Sequence, residues 1–322
     1  MKKKPAKKAS SKKKAGNGLE AAMRMIEEQM ARGDLIAPDD LNALLASLSS
    51  PSATDSLSDA EADARFEAQE LAFDAMEAET EAQARKLARR ALTKDPDCVD
   101  ALVVLAGIEC DSPRQMIEAL QKAVAAGERS LGAAFLKKHK GHFWSLLDTR
   151  PYMRAMQQLA GLLRGAGRNL DAITHYEKML ALNPNDNQGM RDPLLGLYLA
   201  TGNIAGARKL LQDYKDDSMA NFSWGRVMER FLSGDLPGAA AALKTARKQN
   251  RFVELYLSGR KAMPRQMPEM FSPGSDEEAI LVLDNMSLAW AEQKEAVLWL
   301  MKQLTAGKAQ KVAPAKTEEK LQ

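Results

Sequence analysis

The sequence predicts an all-α fold, a solenoid of stacked helical hairpins with an N-terminal helical segment and a C-terminal capping helical segment. Two observations carry this expectation. A five-residue glycine-to-alanine step occurs at Gly167/Ala172, Gly202/Ala207 and Gly234/Ala239, with successive glycines 35 and 32 residues apart. Self-similarity at such a period is the signature of a repeat array in which each hairpin buries its apolar side against the next. Second, Ala84, Ala88 and Ala91 precede Pro96 at the spacings by which Ala172, Tyr176 and Met179 precede Pro184. The small residue lets two helices approach, the larger ones fill the groove, and the proline stops the helix.

From that register the elements follow in order. Residues 1–17 read as a disordered lysine-rich tail and 18–48 as a short helical hairpin, with Leu19, Met23, Ile26 and Met30 on one face. A Ser/Pro/Ala-containing linker covers 49–60, and the repeats occupy 61–250. Helix pairs are expected near 62–78 and 81–93, 97–109 and 113–126, 151–165 and 169–182, 186–201 and 204–214, and 219–232 and 236–249. The second pair fits worst, because Asp111-Ser112-Pro113 stands where a turn glycine is expected. Residues 127–150, with Phe135, His139, His142, Phe143 and Trp144, read as an inserted helix or cap. Pro193, inside the first helix of the fourth pair, should kink that helix or make it start late.

A crossover loop and capping helices are expected over 251–304, and a disordered tail over 305–322. Residues 259–274 hold three prolines and three methionines, as suits an ordered crossover or a mobile loop. Ser275-x-x-Glu278 is a capping box that opens the next helix. Leu281, Leu288, Trp290, Val297, Leu298 and Trp299 are the candidates for the last apolar faces.

Composition excludes several classes. The chain is 45% hydrophobic and 28% charged, ordinary for a soluble globular protein, and no run of 18 apolar residues exists to span a membrane. The N-terminal lysines have no apolar stretch behind them, so they are not read as a secretory signal. Cys98 and Cys110 are expected as free thiols of a cytoplasmic protein. Charge is uneven: residues 1–18 carry eight lysines and no acid, whereas 19–80 carry three arginines against fifteen acids. The lysines Lys2, Lys3, Lys4, Lys7, Lys8, Lys12, Lys13 and Lys14 can grip phosphate by counterion release, or form a solvated arm. No aromatics interleave them for base stacking, which favours the arm.

Catalytic constellations are absent from the sequence, and the chain reads as non-enzymatic, without cofactor or metal. His139 and His142 stand at a spacing two metal ligands can use, but no further ligand follows until Asp148. His175 lies in a repeat helix and is expected to be exposed. No glycine-rich phosphate loop and no nucleophile elbow occur.

The helical pairs over residues 62–250 resemble the tetratricopeptide repeat superfamily. Three stretches, Thr149-Arg150-Pro151-Tyr152-Met153-Arg154-Ala155, Leu182-Asn183-Pro184-Asn185-Asp186-Asn187-Gln188-Gly189-Met190-Arg191 and Pro273-Gly274-Ser275-Asp276-Glu277-Glu278-Ala279, resemble bacterial members of the suppression-of-tumorigenicity-seven family. A plainer account of the middle stretch is that Asn185 or Asp186 caps the following helix. The superfamily resemblance implies a concave groove, lined by the first helix of each pair, that holds a protein or peptide. Arg154, Gln157, Gly161 and Arg164 fall at its inward positions in the third pair, and Gly189, Asp192 and Gly196 in the fourth. In the fifth they are Asn221, Trp224, Met228 and Phe231, so two arginines and an aromatic-methionine patch are the candidate partner contacts. The alternative is that residues 251–274 fold back over Trp224, Met228 and Phe231. Phe66, Gln69 and Phe73 in the first pair, with Gly196 later, depart from the lysine-asparagine clamp by which superfamily members hold acidic chaperone tails. The sequence thus points to an interaction scaffold, with a nucleic-acid-associated factor tethered by its lysine tail as the alternative.

Overall fold

The structure, a computed structural model, describes residues 58–312; the lysine tail, the 18–48 hairpin and the end of the chain lie outside the described residues. Among these residues there are fourteen α-helices, two short 3-10 turns and no strand, so the all-α fold of helical hairpins expected from the sequence is the one observed. The chain divides at Gln188/Gly189 into two compact units, where the sequence had suggested one uninterrupted array.

The first unit holds α1 (Asp59–Glu77), α2 (Glu81–Lys94), α3 (Val99–Glu109), α4 (Pro113–Leu131), α5 (Ala133–Lys138), α6 (Arg150–Gly165) and α7 (Asn169–Leu182). Between α5 and α6 the chain makes 3-10 turns at Phe143–Ser145 and Leu147–Thr149, so the inserted segment is one short helix and two turns. Ser58 and Glu61 form a reciprocal capping box at the start of α1. The misfit second pair has a local explanation. Ser112 accepts a bond from the Gln115 amide and Pro113 takes the first helical position, where its missing N–H costs nothing. Ala68, Ala72, Ala75, Ala88, Ala91 and Ala101 form one buried seam among α1, α2 and α3, with Leu71, Leu87 and Val104 packed around it. Side chains this small let helix backbones approach, which is why alanine rather than leucine fills those positions.

The second unit holds α8 (Arg191–Ala200), α9 (Ile204–Asp213), α10 (Ala220–Leu232), α11 (Leu236–Gln249), α12 (Val253–Leu257), α13 (Asp276–Glu292) and α14 (Lys294–Val312). Helix α8 starts at Arg191 rather than near 186, which leaves Pro193 in its first turn, where a proline is tolerated. Asp186 (φ 51°) and Gly189 (φ 74°) make turns instead, and no side chain caps α8. Helix α14 runs on to Val312, so the boundary drawn at 304 falls within it.

The repeat turns are alike in detail. Gly167, Gly202 and Gly234 have φ of 73°, 74° and 77°. After each, the next amide bonds five residues back, Arg168 to Leu163, Asn203 to Tyr198 and Asp235 to Arg230, at 2.9, 2.8 and 3.0 Å. This is the Schellman closure, and it requires the left-handed residue that glycine supplies most cheaply.

Helices α13 and α14 close the second unit. Ser275 caps α13 through the Glu278 amide at 3.2 Å, as the capping box predicted. The Glu278 carboxylate does not complete the box. It is buried and accepts from the Ala220 amide at 2.9 Å, the Gly274 amide at 2.7 Å and Asn250 Nδ2 at 3.0 Å. One acid therefore ties the start of α10, the end of α11 and the turn before α13, with its charge at a positive helix terminus. The buried apolar face of α13 is Ile280, Val282, Leu283, Met286, Ala289 and Trp290. Of the residues proposed for the last faces, Trp290 is buried, Leu281, Val297 and Trp299 are half-buried, and Leu288 and Leu298 are exposed.

Candidate functional site

The turn glycines give a common ruler for the inner face. Gly161, Gly196 and Met228 each stand six residues before a turn glycine, at Gly167, Gly202 and Gly234, so they hold the same place in their hairpins. In the second unit that place is covered. A β-carbon on Gly196 would lie 1.9 Å from the carbonyl oxygen of Asn285 in α13, and one on Gly225 would meet Met286 at 3.0 Å. Met228 and Trp224 are fully buried. Trp224 donates Nε1–H to the Asn250 carbonyl at 3.2 Å and stands edge-on to Trp290 at 6.4 Å. Phe231, half-buried, packs on Trp299 of α14 with ring centroids 5.5 Å apart. The aromatic-methionine patch is thus core, not open surface. Trp290 of α13 and Trp299 of α14 pack on it.

In the first unit the same place is closed at Phe73, which is buried, and open in the next two pairs. Gly161 is exposed, and a β-carbon built on it meets nothing within 4 Å. Gly107 of α3, which lies 34 residues after Phe73 of α1, is equally exposed and equally unobstructed. Beside Gly161 the half-buried Gln157 accepts from Gln188 Nε2 at 2.8 Å. Arg164 is half-buried.

Arg154 has a different task from the one its inward position suggested. Its guanidinium forks onto Asp100, Nη2 to Oδ2 at 2.5 Å and Nε to Oδ1 at 3.3 Å. Gln69 Nε2 donates to the same Oδ2 at 2.8 Å. Asp100 is 1% exposed, so a buried carboxylate is neutralised by a cation from α6 and a donor from α1. The partner that sequence reasoning missed is Asp100 itself. Its signal was an acid inside the otherwise apolar run Val99–Ile108.

A second polar cluster joins α4, α6 and α7. Glu128 accepts from Lys178 and, at 3.1 Å, from the Tyr152 hydroxyl. Burial pushes the Tyr152 phenol up to about 12. Burial pulls Lys178 down, but its bonds to Glu128 and Tyr152 outweigh that and hold the ammonium above its ordinary value. His175, expected at the surface, is half-buried in this cluster. Burial first, and the Lys178 charge second, lower its pKa. Glu128, Lys178 and Tyr152 thus hold one another, while His175 Nδ1 is buried without a hydrogen-bond partner. His139 tilts against Phe135, ring centroids 4.4 Å apart, and His142 stands just before the first 3-10 turn without a side-chain capping bond. No group of three or more His, Cys, Asp or Glu among the described residues is placed to hold a metal.

One charged surface was also overlooked. Arg85, Lys86, Arg89 and Arg90 recur along α2 at helical spacing, and the last three are exposed. Glu109 answers two of them, Arg89 at 2.8 Å and Arg85 at 3.6 Å. Cys98 and Cys110 are free thiols at the two ends of α3. No described helix is long and apolar enough to cross a membrane.

No protein-family model matches the chain, and no curated protein does. Among solved structures it is similar to a tetratricopeptide repeat protein from Parabacteroides merdae, at a TM-score of 0.40 and 14% identity over 77% of this chain and 88% of that one.

Proposed function

We infer that the protein is a non-enzymatic scaffold that takes a protein or peptide on the inner face of its first unit. The observation that carries this is the contrast at one repeat position. Gly196 is pressed against the backbone of α13, whereas Gly161 and Gly107 face open space. A helix backbone seated over Gly196 supports the reading that such a face can take a helix, and at Gly161 and Gly107 nothing lies within 4 Å of a built β-carbon. Gln157 and Arg164 offer polar contacts at the rim, while Arg154 supports the floor through Asp100. The free thiols of Cys98 and Cys110 support a reducing, cytoplasmic setting. The Leu182–Arg191 stretch supports the finer resemblance to the suppression-of-tumorigenicity-seven family, and its turn at Asp186 needs the left-handed backbone that Asn and Asp adopt most readily among non-glycine residues.

The test is a nuclease-treated affinity capture from host lysate with the full chain and with Gly161→Trp. A tryptophan at 161 has room to fold but fills the open face, so loss of protein partners with an unchanged melting temperature is the expected result. Partners retained by Gly161→Trp would overturn the reading. A nucleic-acid association is the second reading, and the exposed Lys86, Arg89 and Arg90 on α2 favour it beyond the lysine tail. Under it, nuclease treatment removes the captured partners, and oligonucleotide affinity falls steeply with salt.

A further inference from the structure

Between α12 and α13 the second unit carries a closed surface loop. Gly259 and Gly274, with φ of 68° and 77°, turn the chain at its two ends. Its base is fastened: Lys261 Nζ lies 2.5 Å from Asp276 Oδ2, and the Tyr256 hydroxyl donates to the same oxygen at 2.9 Å. A loop with its ends held together keeps its side chains in a small volume.

Three methionines occupy that loop, Met263, Met267 and Met270, and they are 44%, 47% and 69% exposed. Elsewhere among the described residues Met153, Met156, Met179, Met228 and Met286 are fully or almost fully buried, Met76, Met116 and Met219 are half-buried, and Met301 is 37% exposed. The backbone bends at Arg265–Gln266 and again at Glu269, once between each successive pair of methionines. With those bends and three rotatable bonds per side chain, thioethers four and three residues apart can reach a common point.

The donor set selects the ion. Residues 259–274 contain no His and no Cys, and Glu269 is their one carboxylate. Thioether sulfur is a soft donor that suits Cu(I), whereas Mg, Ca and Mn want oxygen and Zn wants imidazole or thiolate. Arg260, Lys261 and Arg265 lie in the same loop sequence, and positive charge penalises a divalent ion more than a monovalent one. We propose that Met263, Met267 and Met270 form a three-thioether site for monovalent copper. The step is coordination alone. The metal enters and stays as Cu(I), and no electron or proton moves.

The experiment uses the full chain carrying Cys98→Ala/Cys110→Ala, so that no thiolate competes, beside the unaltered chain, with Ag(I) as a redox-inert probe of the same softness. Methionine methyl groups are labelled with carbon-13 and followed by NMR as Ag(I) is added. Signals of Met263, Met267 and Met270 should shift together and saturate at one equivalent. In an anaerobic competition against bicinchoninate, the full chain should withdraw one equivalent of Cu(I). Each single Met→Leu change should weaken this at least tenfold, and the triple change should abolish it. Leucine keeps the size and apolar character of methionine, so the loop retains its packing. Three results overturn the site: no withdrawal of Cu(I), equal affinity in the triple variant, or loss of binding only in Cys98→Ala/Cys110→Ala. The first would leave the exposed methionines as an apolar docking surface.

Discussion

The carbonyl oxygen of Asn285 lies 1.9 Å from where a β-carbon on Gly196 would be, so α13 crosses α8 with backbone against backbone. Only glycine permits that approach. The contact turns the inner face of the second unit into core, and it gives a single-residue prediction. Gly196→Ala should destabilise the fold by roughly 1–3 kcal/mol or more, because the obstructing atom is backbone and cannot rotate away. Gly161→Ala should act in the opposite sense, gaining up to about 1 kcal/mol from helix propensity where a side chain meets nothing. Urea denaturation of the two variants checks both signs.

Arg154 should matter for folding more than for binding. Removing it leaves Asp100 buried and charged, a loss of about 3–5 kcal/mol by analogy with broken buried pairs. Replacing both, as Asp100→Leu/Arg154→Met, should recover much of that loss. A double-mutant cycle on unfolding free energy measures the coupling. A value near zero would show that the arginine is free to serve a ligand.

What the sequence made legible was local. Turn glycines, the Ser275 cap and the late start of α8 at Pro193 depend on residues within a few positions and were readable from spacing, whereas the cap expected from Asn185 or Asp186 does not form. What it hid was non-local. Asp100 and Arg154 lie 54 residues apart, and Gly196 and Asn285 lie 89 apart. No periodicity says which helix will lie across a given face. Trp224 therefore looked like an interface anchor, although its indole and its hydrogen bond to Asn250 are internal. The methionines of 263–270 were visible as composition, but the closure by Lys261 and Asp276 came from folding.

His175 should give stability a pH dependence with a defined sign. Its folded-state pKa is lowered by burial and by Lys178 from the ordinary imidazole value of 6.5. The unfolded chain then binds the proton more readily than the folded one. The stabilising contribution is complete above the unfolded value and is lost as pH falls from about 6.5 toward the folded value. In urea titrations between pH 5 and about 7.5, the midpoint should drop on acidification. His175→Gln should flatten that part of the curve, and an equal slope in the variant would assign it to other groups.

Glu278 should behave as a structural knot whose charge is needed. Its two oxygens accept from the Ala220 amide, the Gly274 amide and Asn250 Nδ2, so each has a donor facing it. Glu278→Gln keeps the shape but turns one oxygen into a donor. That sets N–H against N–H and removes the negative charge from the start of α10. The expected cost is about 2–3 kcal/mol, the range for hydrogen bonds to a charged group together with an unsatisfied donor. Because Asn250 also receives the Trp224 indole, the damage should spread to the aromatic pair Trp224–Trp290. Amide exchange at Ala220 and Gly274 should accelerate well before global unfolding, and near-ultraviolet dichroism should weaken with it. Unchanged exchange at both amides would mean that the carboxylate only fills space.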